Sequence, residues 1–147
     1  MKKRNAFPLG KLVVLLVFGI TVIGCSSGPK APDTFVKGSF GDTTILLRSG
    51  LNFDLAFREV AFVLNRHNFD TEVVQPEVGY IRTRWNRWGT AEVTTYRVRI
   101  ICNFNPARTQ LIVRAEAEHN VNGVWISGSD SRAIETLRND LNMIIGN

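Results

Sequence analysis

The chain has almost no cysteine. Cys25 and Cys102 are the only two, so a disulfide framework is excluded and the fold must hold itself by packing. Histidine is as scarce: His67 and His119 have neither ligand spacing to each other nor acidic pairs beside them, and no metal site is expected. No apolar run reaches the ~20 residues that a spanning helix needs; Leu12 to Gly24 comes closest. Past residue 41 there is no lysine, against 12 arginines. Also missing are a Ser, His, Asp signature, a glycine-rich phosphate loop and an isolated carboxylate pair in an apolar setting. No cofactor and no enzymatic activity are therefore expected. Cys102 is the one conceivable nucleophile, but it falls on a strand face predicted to point inward, where cysteine acts as a small hydrophobe.

What is present begins at the N-terminus. Lys2, Lys3, Arg4 and Lys11 precede the apolar run, and Val22, Ile23, Gly24, Cys25 close it. A basic start and a short apolar core are the layout of a secretory signal. The closing residues resemble the lipobox of bacterial lipoproteins, which implies a cleaved signal over 1–24 and a diacylglyceryl group on the Cys25 sulfur. Several acyl chains on one terminus give stable anchoring without a spanning helix. Ser26 after the cysteine resembles lipoproteins forwarded to the outer membrane of diderm bacteria, facing the periplasm. The membrane, through this lipid, is the first expected partner.

Processing changes the charge balance. The full chain carries 18 basic and 13 acidic residues, net +5. Removing the four basic residues of the signal leaves 14 against 13, net +1. The basic character belongs to the targeting segment, and a nucleic-acid partner is not expected. The remaining length suits one core. Residues 25–41 are rich in Gly, Pro, Ser and Lys and read as a flexible tether; 42–147 read as a single domain.

Hydrophobic periodicity then orders the domain. Thr43 to Arg48 is a β-branched and aliphatic run, predicted to be a short strand. Phe53, Phe57, Val60, Ala61 and Leu64 fall on one helical stripe, with Asn52 as cap, Asp54 on the first turn, and Arg66 and His67 on the last. Period-two segments follow: Phe69 to Gln75, a Pro76 to Gly79 turn, Tyr80 to Trp85 with a reversal at Gly89, Val93 to Phe104, and Thr109 to His119. Asn122 and Gly123 predict a type I′ hairpin into a short strand, Val124 to Ile126. Ser129, Asp130 or Ser131 can cap a terminal helix whose stripe is Ile134, Leu137, Leu141, Ile144 and Ile145. The fold class is α+β: an antiparallel meander with an N-terminal and a C-terminal helix packed on one face.

The strand alternation separates core from surface. Tyr96, Val98, Ile100, Cys102 and Phe104 should face inward, opposite Leu111, Val113, Ala115 and Ala117. Outward, Arg97 and Arg99 meet Arg114, Glu116 and Glu118, with Arg82 and Arg84 one strand over and Asp70 and Glu72 beyond. Arginine forks suit carboxylates and phosphates, so this stripe is a candidate surface for an anionic envelope component or partner. The competing reading, favoured by the flanking acids, is a set of solvated cross-strand pairs. Trp85, Arg87 and Trp88 cluster near a hairpin tip. Trp85 shares a strand face with Ile81 and Thr83 and is expected in the core, Trp88 is expected exposed as a contact residue, and Trp125 is expected at the core edge with a contact role open to it.

The helix of Phe53, Phe57, Val60 and Leu64, followed by Phe69 and by Gly79, Tyr80, Ile81, Arg82, Thr83, resembles the helix-grip domains of bacterial envelope lipoproteins. BamC-type subunits of the outer-membrane β-barrel assembly machinery belong to that group. The resemblance covers roughly Leu51 to Ile145 and implies a long helix across an antiparallel sheet in a non-catalytic scaffold. The expected function is thus an envelope-anchored scaffold or accessory subunit acting through protein or glycan contacts. The alternative is a periplasmic ligand-binding, inhibitor or chaperone-like module with a groove between helix and sheet.

Overall fold

The computed structural model describes residues 31–89 and 94–147. In chain order its elements are β1 (Phe35–Lys37), β2 (Asp42–Leu46), α1 (Phe53–Arg66), β3 (Thr71–Gln75), a single 3-10 turn (Pro76–Val78), β4 (Tyr80–Thr83), β5 (Asn86–Gly89), β6 (Thr94–Phe104), β7 (Gln110–Val121), β8 (Val124–Asp130) and α2 (Ser131–Ile145). The fold is α+β, one antiparallel sheet with both helices against it, as the periodicity predicts. Two long strands carry the sheet because each pairs with the other along one side and serves two shorter strands along its other side. β7 pairs with β2 through Gln110–Arg114 and with β8 through Glu116–Val121. β6 pairs with β5 near its start and with β4 near its end, and β3 lies outside β4.

Local signals set the helix ends. The Asn52 side chain accepts the Leu55 N–H at 3.1 Å, satisfying one orphan donor of α1. Asn68, at φ 60°, takes the left-handed conformation that ends the helix, and the Phe69 N–H closes back on the Leu64 carbonyl. Of the three candidate caps for α2, Asp130 is used: its Oδ1 accepts the Ala133 N–H at 2.8 Å. The β7–β8 hairpin turns at Asn122 (φ 53°) and Gly123 (φ 86°), the two positive φ values of a type I′ turn.

Inward residues of β6 and β7 interlock with the helices in one cluster. Val98, Ile100, Cys102, Leu111, Val113 and Ala115 are fully buried, and from the helices so are Val60, Val63, Leu64 and Leu141. Ala56, Phe57 and Leu137 complete the two apolar stripes.

Three parts of the fold differ from expectation. Phe35–Lys37, inside the stretch expected to be tether, forms a strand on β8, and the Phe35 ring packs edge-on to Tyr96 at 5.9 Å. Gly128 makes room for it: a Cβ there would sit 2.4 Å from the Val36 carbonyl oxygen and 2.6 Å from the Phe35 ring. Second, β8 runs on to Asp130 instead of stopping at Ile126, because β1 and β7 both bond to its last residues. Third, the run expected as one strand from Tyr80 to Trp85 is broken. Ile81 pairs with Cys102, but Asn86 pairs with Val98. One more residue is spent on this side than on β6, so a bulge lies between β4 and β5 and reverses the inward and outward positions beyond it.

Thr83 repairs the ladder at this bulge. It is fully buried, its Oγ1 accepts the Ile100 N–H at 2.9 Å and donates to the Arg84 carbonyl at 3.1 Å. Thr83→Val keeps the shape and leaves the Ile100 donor buried without its acceptor. The expected cost is about 1–3 kcal/mol, read as a lower urea midpoint at unchanged m-value. An unchanged midpoint would mean that water replaces the hydroxyl.

Candidate contact surface

The bulge decides what stands on the outer sheet face. In an unbroken strand Trp85 would oppose Val98 and join the core. With the extra residue it turns outward, half-buried, over the arginines of β6. The expectation of a core Trp85 is therefore corrected. Trp125 is corrected likewise: it pairs with Asn120 on the outer parity of β8 and lies over Arg97, away from the core edge.

Arg97 is held between two indoles, with its guanidinium carbon 4.7 Å from the Trp85 ring centre and 4.1 Å from that of Trp125. Arg99 lies 4.5 Å from Trp85. Each also binds the glutamate directly opposite on β7. Arg97 reaches one oxygen of Glu118 from Nε at 2.7 Å and Nη2 at 2.5 Å. Arg99 reaches one oxygen of Glu116 with both distances 2.7 Å. The cation–π contacts are worth about 0.5–1 kcal/mol each where exposed, which rigidifies a patch that cross-strand charges alone would leave loose. Among the described residues the other oxygen of each glutamate accepts no protein hydrogen bond.

The rest of the stripe is less uniform. Arg82 pairs with Glu72 at 3.2 Å and Arg114 with Asp42 at 3.4 Å. Arg84 is exposed and stands at the bulge beside Asp70 and Asn86, off the line of the other arginines. Its backbone N–H bonds the Asp70 carbonyl at 2.8 Å. Arg87 opposes Arg97 across the sheet. The arginine face is thus largely neutralised by its own carboxylates. Its aromatic rim also includes Phe40, 71% exposed and within 5.8 Å of Arg114. Phe40 was hidden in the sequence among tether-like residues. A groove of about 210 Å³ runs between Phe40 and Trp85, bordered by Arg99, Glu116, Glu118 and Ser127. The Trp88 side chain and Cys25 lie outside the described residues.

The other chemistry-bearing residues are placed as follows. Cys102 is fully buried and desolvation pushes its thiol up to about 12, so it stays a neutral core side chain at physiological pH. His119 is buried beside Phe35. His67 binds Asp140 of α2 through Nε2 at 2.6 Å, and Arg66 binds the same oxygen at 2.5 Å. These two bonds, His67 first, hold the Asp140 carboxyl below its ordinary value of 3.8. A depressed folded pKa gives stability that is present above the ordinary value and is lost as pH falls through the folded one. Asp140→Asn should therefore lower the urea midpoint at neutral pH, and the gap to wild type should close as pH drops below 3.8. A gap independent of pH would sink this assignment. Among the described residues no group of three His, Cys, Asp or Glu could hold a metal ion, and no helix is long and apolar enough to cross a membrane.

No known protein-family model matches the chain, and no curated protein matches it.

Proposed function

We propose that this protein is a lipid-anchored envelope lipoprotein, non-catalytic, which serves as a scaffold or accessory subunit by presenting its outer sheet face to a protein or glycan. The observation that carries the reading is the stack of Trp85, Arg97 and Trp125, continued by exposed Phe40. Tryptophan and arginine are the side chains most enriched where binding energy concentrates. Here they are held in place before any partner arrives, so little ordering entropy is lost on contact. The glutamates supply acceptors between the rings, suited to hydroxyl or amide donors. Self-neutralisation of the stripe favours such a neutral polar partner over a polyanion.

The anchoring half of the proposal rests on Val22 to Cys25 and the basic, apolar run before them. The resemblance to BamC-type helix-grip lipoproteins adds a scaffold role; a partner on the β-barrel assembly machinery is one form it can take. The test is a photo-crosslinking residue at Phe40 in intact cells, with the same residue at exposed Asn142 on α2 as control, followed by mass spectrometry. A discrete adduct from position 40 alone supports the reading, and its loss on Trp125→Ala ties it to the stack. No adduct, or the same adducts from both positions, rejects it.

A further inference from the structure

Another concave site lies on the opposite side of the sheet from the Trp–Arg stack. At the end of α1 and the start of α2 there is an open cavity of about 230 Å³. Its floor is apolar, with Ala133 and the exposed edge of Phe69 at the surface over the buried Val98 and Leu137, residues that come from three parts of the chain. The size exceeds the roughly 150 Å³ that accepts benzene and is below the roughly 300 Å³ at which drug-sized sites begin. It fits one aromatic ring or a branched aliphatic group with a short arm.

Three ionisable side chains border this cavity, and only one is unengaged. His67 is bound to Asp140. Asp130 is nine-tenths buried and both its oxygens are used: Oδ1 accepts from Ala133 N–H, and Oδ2 from the Tyr96 hydroxyl at 2.7 Å and the Thr34 hydroxyl at 3.1 Å. Arg132, by contrast, is exposed at the mouth and among the described residues has no ion-pair or hydrogen-bond partner. An apolar floor with a single free guanidinium at its mouth selects an amphiphile whose polar end is an acid.

The geometry points to a binding site for a small aromatic or branched aliphatic carboxylate, its apolar group against Phe69 and Ala133 and its carboxylate on Arg132. The site is independent of the outer sheet face. Binding needs no chemistry at the ligand.

The probe is 3-(4-fluorophenyl)propionate, followed by fluorine NMR on the full chain in lipid nanodiscs, with empty nanodiscs as the blank. Its neutral partner is 3-(4-fluorophenyl)propanamide. The acid should bind wild type about tenfold tighter than the amide, the size of one charge-assisted contact. Arg132→Ala should bring the acid down to the level of the amide and leave the amide unchanged. Ala133→Leu, which fills the floor, should abolish binding of both, and Thr136→Phe, at an exposed lining position that leaves the core intact, should do the same. Equal affinity for acid and amide overturns the ligand class. Wild-type-like binding by both filling variants, or none to wild type up to about 10 mM, overturns the site.

Discussion

Asp130→Ala lowers the free energy of unfolding by about 3 kcal/mol in the expected experiment, the largest effect of any single polar side chain described. Two losses add. The α2 cap is removed, at about 1 kcal/mol, because Oδ1 no longer accepts the Ala133 N–H. The hydroxyl of Tyr96, a residue 4% exposed, loses its 2.7 Å bond to the carboxylate. A hydrogen bond to a charged acceptor contributes about 1.5–3 kcal/mol. Burial first, and then the bond to Asp130, hold the phenol far above its ordinary pKa, so it stays a donor throughout the accessible pH range. Thr34 binds the same oxygen and its backbone carbonyl accepts the Ser131 N–H. This carboxylate therefore joins the segment before β1, the middle of the sheet and the start of α2. Urea unfolding measures the loss. Asp130→Asn, which retains a cap oxygen, should cost less than half as much, and Tyr96→Phe should be less damaging in the alanine background than alone. A loss below about 1 kcal/mol for Asp130→Ala would refute the shared role, since that is the value of the cap alone.

The second large effect is on location. Cys25→Ser removes the thiol that the proposed lipidation needs, and the protein is expected to leave the processed membrane fraction almost completely. The magnitude follows from chain arithmetic: at about 0.8 kcal/mol per buried methylene, one acyl chain binds reversibly and several are nearly permanent. Fractionation with a metabolic fatty-acid label distinguishes the outcomes. Accumulation of unprocessed precursor or release into the soluble fraction is the expected result. A processed, lipid-labelled serine variant in the membrane would defeat the anchoring proposal and with it the restriction of partners to the membrane surface.

The elements with a local signature were legible in the chain. Phe53, Phe57, Val60 and Leu64 recur at the helical period and all lie against the core, Leu64 with no exposed surface and Phe53 partly covered. Period-two alternation placed Val98, Ile100 and Cys102 inward against Val113 and Ala115 because both long strands run unbroken past each other. The Asn122 and Gly123 turn was legible for the same reason, since positive φ at both positions suits few residue types.

β1 was not legible, since its three residues have no period of their own and are strand only because β8 offers them an edge. Trp85 was misplaced because alternation cannot register one unpaired residue. The bulge that turns it outward is a relation between β6 and its two neighbours, visible only in the pairing. The cation–π stack and the Arg132 cavity depend on residues far apart in sequence, and no window along the chain contains them.

Residue order alone therefore settled the α+β class, both helices and the core of the two long strands, and narrowed the α2 cap to three neighbours, of which the structure uses Asp130. It also identified the Cys25 motif as the anchoring candidate. Which tryptophans meet solvent, which arginines are already neutralised and which one borders the inner cavity were decided by register and by packing between distant segments. Periodicity reports only whether a side chain faces in or out of its own element. Charge pairing, stacking and cavities depend on what the neighbouring element brings to the same place.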